Sequence, residues 1–199
     1  MNQECLWLTL SIDMKAMTNK PTLVNLANHA FFNLAGHDSG AKGLKEHWVQ
    51  FNADFYTPTT QDLIPTGQIS KVEGTKFDFR NLRNLGEMIE NHGNHGYDVN
   101  FCINEFHNEL KFVCRFEHPG SERALECFSN QPGLEFYTGN YLPIDKSLVG
   151  KNGCIYQKHG GFVLETQKYP DSINQNFGHD YILRPGQIYD HKVIYKFFF

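Results

Sequence analysis

The chain opens with a strict alternation of apolar and mostly polar residues. Leu6, Leu8, Leu10, Ile12 and Met14 occupy every second position, which is the pattern of a β-strand with one buried face. A strand this regular needs a neighbour to pair its backbone groups. The pattern therefore predicts a half-buried strand over residues 6–14 that begins in the middle of a sheet. Its unpaired edge would be a surface for self-association.

Short runs of strand-forming residues, separated by turn residues, fill the rest of the chain. One short helix is predicted within residues 78–89, where Leu82, Leu85 and Ile89 have helical spacing. Repeated short strands between turns are typical of β-sandwiches. We therefore predict an all-β protein, a large β-sandwich formed as a single domain over residues 1–199. The predicted strands after the first are residues 22–34, 48–53, 100–103, 111–117, 124–129, 162–164 and 191–199.

Composition narrows the class of protein. The 199 residues are 40% hydrophobic, which is enough for one substantial core. A formal net charge of -4 argues against nucleic acid as a partner, since phosphate binding needs a basic surface. The chain has no apolar run long enough for a membrane span and no signal-peptide pattern. Five scattered cysteines, an odd number without zinc spacing, indicate reduced thiols. We therefore expect a soluble, cytoplasmic protein.

Glu165 is the first candidate for chemistry. It ends the apolar run from Phe162 to Leu164, which follows two glycines. A carboxylate at the end of a buried strand is partly desolvated, which raises its pKa and its basicity unless a partner keeps it ionised. The alternative is that Glu165 caps a strand and points to water.

A second candidate is the cluster of hydrogen-bonding side chains around His29. Asn25, Asn28, His29 and Asn33 lie within an otherwise apolar predicted strand, and buried polar groups need partners. Such a density suits a polyhydroxylated ligand, with Asn28 as a candidate binding residue. Taken alone, His29 would more often be a core or edge histidine with its hydrogen bonds satisfied.

Two further groups allow structural explanations. Asp98 precedes a predicted strand, where an aspartate commonly forms an Asx turn. His92 and His95 invite a metal interpretation, but they lie among glycines without a nearby carboxylate cluster. We therefore expect no metal site.

Taken together, these segments resemble the aldose 1-epimerases, the galactose mutarotase family. The resemblance lies in six segments that follow the family's order over nearly the whole chain, which makes it specific. They are Asn25-Leu26-Ala27-Asn28-His29-Ala30-Phe31-Phe32-Asn33-Leu34, Ile64-Pro65-Thr66-Gly67, Gly96-Tyr97-Asp98-Val99-Asn100-Phe101, Gln131-Pro132-Gly133-Leu134-Glu135-Phe136-Tyr137-Thr138-Gly139-Asn140, Gly161-Phe162-Val163-Leu164-Glu165-Thr166-Gln167 and Tyr169-Pro170-Asp171-Ser172-Ile173-Asn174-Gln175.

The resemblance implies a β-sandwich whose cleft binds a monosaccharide, galactose or glucose, without a cofactor. It implies that His29 is the general acid and Glu165 the general base, on opposite sides of the sugar, and that Asp98 contacts sugar hydroxyls. Where the family pattern has a glutamine at the sugar, this chain has Glu135. An ionised Glu135 could accept a hydrogen bond from a hydroxyl but could not donate one, and it could raise the pKa of Glu165 if the two are close.

The resemblance covers only the C-terminal portion of the family pattern. Its early segments, which carry an Asn-Arg pair and a second histidine at the sugar, have no counterpart here. The leading hypothesis is an aldose 1-epimerase that interconverts sugar anomers. The alternatives are a non-catalytic sugar-binding relative and a truncated, inactive one.

Overall fold

Two six-stranded antiparallel sheets organise the computed structural model, which describes residues 6–105, 107–177 and 181–199. We call the first of them the outer sheet. Its strands, in order across the sheet, are β1 (Trp7–Ala16), β14 (Tyr189–Phe198), β10 (Arg123–Ser129), β9 (Lys111–His118), β4 (Trp48–Phe51) and β7 (Arg83–Asn84).

The second sheet, called the site sheet, carries most of the candidate residues. Its strands, in order, are β3 (Phe31–Phe32), β12 (Phe162–Gln167), β11 (Gly133–Tyr137), β8 (Asp98–Cys102), β5 (Phe55–Tyr56) and β6 (Ser70–Lys71). A small ladder pairs β2 (Thr22–Leu23) with β13 (Ile182–Leu183). The helices are α1 (Gly40–Lys45) and α2 (Leu85–Asn91), with 3₁₀ turns at Pro119–Ser121 and Lys151–Gly153.

An aromatic core joins the two sheets face to face. The ring of Phe116 on β9 stacks on that of Phe162 on β12, with centroids 4.1 Å apart. On β11 the side chains of Leu134 and Phe136 lie fully buried in this core. Because successive residues of a strand point to opposite faces, Glu135 between them points away from the core. The alternation that builds the sandwich therefore also presents the candidate site on the far face of the site sheet.

The predicted first strand is confirmed, but its burial is not as expected. β1 pairs with β14 over its whole length, from Trp7 opposite Phe198 to Ala16 opposite Tyr189. β1 is the edge strand of the outer sheet. The site sheet, in contrast, ends at β3, where Phe32 packs over Tyr195 of β14, the neighbour of β1. Since β1 lies beyond that strand, Leu8 and Leu10 remain 63% and 46% exposed. Self-association through this edge stays a prediction.

The expected continuous strand over residues 22–34 is wrong. Only Thr22–Leu23 and Phe31–Phe32 are strands, because the intervening segment bonds through side chains instead of a backbone ladder. The amide of Asn25, for example, bonds the backbone of Lys168 in both directions, at 3.1 and 2.9 Å. These side-chain bonds to a distant part of the backbone stand where a strand ladder would otherwise form.

The predicted strands from residue 48 onward are confirmed with shifted ends, as β4, β8, β9, β10, β12 and β14. The predicted helix is present as α2, which begins only at Leu85 because Asn84 caps it by accepting a hydrogen bond from the Glu87 N–H at 3.0 Å. Helix α1 was not predicted. Neither helix of the described chain has the length and apolar character needed to traverse a bilayer.

Candidate active site

One row of side chains crosses the site sheet. Glu165 of β12 lies directly opposite Glu135 of β11, and Glu135 lies opposite Asn100 of β8. In the β3–β12 ladder Phe31 is opposite Val163, so the same register two residues earlier places His29 across from Glu165. Opposed residues of an antiparallel pair share one face of the sheet. The row His29, Glu165, Glu135, Asn100 is thus a direct product of strand register.

His29 and Glu165 form a contact pair. The Nε2 atom of His29 lies 3.5 Å from Oε1 of Glu165, and the two side chains are 54% and 17% exposed. The aromatic rings of Phe31 and Tyr137 lie beside His29, with centroids 5.4 and 6.1 Å from its imidazole. A sugar does not fit between atoms 3.5 Å apart. The expected placement of the two groups on opposite sides of a sugar would therefore require the exposed His29 to move.

Burial tunes the carboxyl groups of the site. It raises the pKa of Glu165 above its usual value, an effect that the neighbouring His29 opposes and the charge of Asp98 increases. Burial also raises the pKa of Asp98, and His29 again opposes the change. The largest effect falls on Glu135, where burial and then the charges of Asp98 and Glu165 raise the pKa to about 8. The sequence led us to expect Glu135 to act on the pKa of Glu165, whereas the stronger perturbation is that of Glu135 itself.

Tyr195 of β14 bridges the two segments that carry His29 and Glu165. Its buried hydroxyl donates to the backbone carbonyl of Leu164 at 2.9 Å and accepts from the amide of Asn28 at 3.3 Å. Leu164 and Asn28 are the chain neighbours of Glu165 and His29. Asn28 therefore uses its amide N–H on the scaffold, which leaves its amide oxygen available for a ligand.

His191, two strand positions from Val193 on the same inner face of β14, makes a second bridge of this kind. Its Nδ1 lies 3.2 Å from the carbonyl oxygen of Leu26, and its Nε2 lies 2.9 Å from the hydroxyl of Thr166. The hydroxyl of Tyr189 also lies 3.1 Å from Nδ1. A proton on Nδ1 lets the ring donate to the Leu26 carbonyl, and Nε2 then accepts from Thr166. Burial lowers the pKa of His191 to about 4, so the ring stays neutral and both bonds persist at neutral pH.

A cavity of about 210 Å³ adjoins the end of the row formed by Glu135 and Asn100. Its lining combines polar groups with a turn that includes the Ile64-Pro65-Thr66-Gly67 segment: Thr57, Thr59, Leu63, Pro65, Asp98, Asn100, Glu135 and Pro170. The side chain of Gln175 fixes this turn by donating to the carbonyl of Pro65 at 3.1 Å. Gly67, at φ +81°, permits the approach, because a Cβ there would lie 2.4 Å from the Gln175 amide oxygen. The segment Ile64-Pro65-Thr66-Gly67 and the segment from Tyr169 to Gln175, which are far apart in the sequence, thus form one wall of the cavity.

The structure brings the sequence-derived candidates into one region. His29 and Glu165 are in contact, Asp98 and Glu135 influence one another electrostatically, and Asn28 is anchored to the scaffold. The rings of His92 and His95 lie 5.9 Å apart at their centroids. Within residues 6–105, 107–177 and 181–199, no group of three or more histidine, cysteine or acidic side chains is arranged to hold a metal ion.

Sequence reasoning missed the supporting residues Tyr195, His191 and Asn100. The first two lie on the inner face of the final strand, where alternation predicts apolar residues; a polar residue at such a position was the available signal. Asn100 was quoted within a motif but given no role, and it proves to be buried in the row itself.

Comparisons with known proteins show the family of the chain. A family model described as aldose 1-epimerase matches residues 2–196. The chain is 45% identical to a galactose mutarotase from Mus musculus and 43% identical to one from Homo sapiens, each over 96% of this chain and 56% of the relative. A crystal structure of an aldose epimerase homologue from C. elegans superposes with a TM-score of 0.83 at 28% identity, covering 95% of this chain and 55% of that one. The chain thus spans little more than half the length of these relatives.

Proposed function

Because the chain belongs to the aldose 1-epimerase family, we propose that it interconverts the α and β anomers of an aldohexose such as galactose or glucose. The contact between His29 and Glu165 carries the proposal. It pairs a carboxylate with an imidazole on the exposed face of a rigid sheet, beside a cavity that is lined by further hydrogen-bonding groups.

The proposed reaction needs two proton transfers at one carbon. Glu165 takes the proton from the hydroxyl at C1, and His29 delivers a proton to the ring oxygen, which opens the ring. Rotation about the C1–C2 bond and the reverse transfers then give the other anomer. The C1 hydroxyl oxygen and the ring oxygen are both bonded to C1, so the acid and the base must lie near each other. His29 and Glu165 lie together in this way, and the exposed His29 would move aside to admit the sugar.

The remaining candidates are proposed to hold the sugar. Glu135 lies on β11, next to β12, and Asp98 lies on β8, the strand after it. Both line the cavity, where carboxyl oxygens can accept hydrogen bonds from sugar hydroxyls. The amide oxygen of Asn28, which accepts no hydrogen bond from the described residues, is a further acceptor beside His29. None of these steps uses a cofactor.

The direct test is the approach of freshly dissolved α-galactose to its anomeric equilibrium, followed by polarimetry. The Glu165→Gln variant keeps the shape of the side chain but removes the base, so we expect its rate above buffer to fall by roughly 10²–10⁴-fold. Glu87→Gln, an exposed glutamate of α2, serves as the matched control and should keep the full rate. An unchanged rate in Glu165→Gln would contradict the proposed base.

A second candidate function is sugar binding without catalysis. It is favoured by one observation, namely that the 3.5 Å contact between His29 and Glu165 leaves no room for a sugar between the two groups. In this case calorimetry would detect galactose binding while the polarimetric rate equals that of buffer in a folded sample.

A further inference from the structure

Three carboxyl groups approach one another on three adjacent strands of the site sheet. Asp98 is on β8, Glu135 on β11 and Glu165 on β12. Glu135 is central, since it lies directly opposite Glu165 and, because Tyr137 is opposite Asp98, diagonally next to Asp98. Diagonal neighbours of this kind remain within reach of long side chains. Three negative charges on one partly buried face would repel one another strongly.

The three carboxyl groups differ in how close they lie to a positively charged side chain. His29, from the segment before β3, lies 3.5 Å from Glu165 and also favours the ionised form of Asp98. Within the part of the chain that the structure describes, the one hydrogen bond to the Glu135 side chain is a long one from the Gln167 amide, at 3.4 Å. Among the described residues no lysine, arginine or histidine forms an ion pair with Glu135. The charged groups that face it are Asp98 from one neighbouring strand and Glu165 from the other.

We propose that Glu135 retains a proton at neutral pH while Glu165 stays ionised, so that Glu135 acts as a neutral hydrogen-bond donor to the sugar. The inference builds on the proposed function, for which it adds a residue that determines how the sugar is held and over which pH range. A protonated carboxyl group offers one O–H donor in addition to its acceptor oxygen. An ionised one offers acceptors only.

The surroundings of Glu135 agree with a bound proton. Burial, together with the charges of Asp98 and Glu165, raises its pKa to about 8. Directly across the β8–β11 ladder, the buried amide oxygen of Asn100 has no donor within the described residues. The face is therefore rich in acceptors, and a protonated Glu135 supplies a donor to it. Since Glu165 must be ionised to act as a base, the proton belongs on the carboxyl group that lacks His29.

The proposal makes sugar affinity depend on pH. As the pH rises through about 8, Glu135 loses its donor and the site gains a third negative charge. The loss of one hydrogen bond in a partly buried site is worth roughly a tenfold change in affinity. The Glu135→Gln variant has a side chain of the same shape with a permanent N–H donor, so its affinity should not change over this range.

The site of the proton is tested without any sugar. Carboxyl carbons of ¹³C-labelled glutamate are followed by NMR as the pH is raised, and the resonance absent from Glu135→Gln is that of Glu135. We expect this resonance to titrate near pH 8 and to move to lower pH in Asp98→Asn, which removes one neighbouring charge. A resonance that titrates in the ordinary glutamate range, or one that Asp98→Asn leaves in place, overturns the proposal.

The donor role is tested by galactose calorimetry at about pH 6.5 and about pH 9.5, on either side of the titration. The expected result is roughly tenfold weaker binding at the higher pH in the unmodified chain and equal binding at both in Glu135→Gln. An identical pH dependence in the two proteins, or absence of galactose binding in both, overturns the donor role. Failure of the proposed catalysis would appear separately, as a polarimetric rate equal to buffer with the carboxyl titration unchanged.

Discussion

Replacing Glu135 with glutamine should stabilise the protein at alkaline pH and have little effect in acid. The folded protein holds a proton on Glu135 up to about pH 8, whereas the unfolded chain releases it near the ordinary value of 4.5. Between these two values the folded state binds more protons than the unfolded state. The free energy of unfolding contributed by this group therefore falls as the pH rises from about 4.5 to about 8. Glutamine does not ionise, so the variant lacks this loss.

The size of the effect follows from the same values. The difference between 4.5 and about 8, at about 1.4 kcal/mol per pH unit, sets an upper limit of about 5 kcal/mol. Water contact and relaxation of the neighbouring carboxyl groups reduce this, and we expect about 2 kcal/mol. The two proteins should be compared by how their difference in free energy of unfolding changes with pH. The difference at a single pH also contains a constant contribution from the exchange of a carboxyl oxygen for an amide nitrogen.

Urea denaturation at a series of pH values from about 4.5 to about 9 measures the effect. Tryptophan fluorescence reports unfolding, since the 2 tryptophans of the chain, Trp7 and Trp48, both lie on strands of the outer sheet. Glu87→Gln controls for the loss of a charge at an exposed glutamate. A stability difference between Glu135→Gln and the unmodified chain that is constant over this range would refute the reasoning, as would a variant that loses stability at alkaline pH.

Two further predictions concern the buried polar groups that support the site. Tyr195→Phe leaves the Leu164 carbonyl without its donor, so the free energy of unfolding should fall by about 1–3 kcal/mol and the polarimetric rate should fall with it; an unchanged rate would contradict the positioning role. His47 is buried with a pKa lowered to about 4, chiefly by burial, and its Nε2 accepts from the Leu34 N–H at 3.0 Å. Its contribution to stability is present above about pH 6.5 and lost as the pH falls towards 4. His47→Gln cannot ionise, so its free energy of unfolding, measured by urea denaturation, should change less with pH over this range. An equal change with pH in both proteins would count against this assignment.

The sequence by itself determined the class of fold and the family, and it supplied the candidate residues of the site. Period-two alternation gave β1, and the runs that became β9, β10 and β12 were found because strand faces repeat every two residues. The segments around His29, Asp98, Glu135 and Glu165 pointed to a family, which the match over residues 2–196 confirms. These features are local, so they can be read from neighbouring residues.

The tertiary structure decided which groups face one another. His29 and Glu165 are 136 positions apart in the chain, and only the register of β3 against β12 places them at 3.5 Å. Register likewise places Glu135 between Asp98 and Glu165 and so determines that Glu135 has the most strongly raised pKa of the three. The exposure of Leu8 and Leu10 could not be predicted either. The alternation in β1 predicts a buried face, but it does not show whether an opposing sheet extends over that face. Pairing across a sheet depends on contacts between distant segments, and no local pattern in this sequence encodes them.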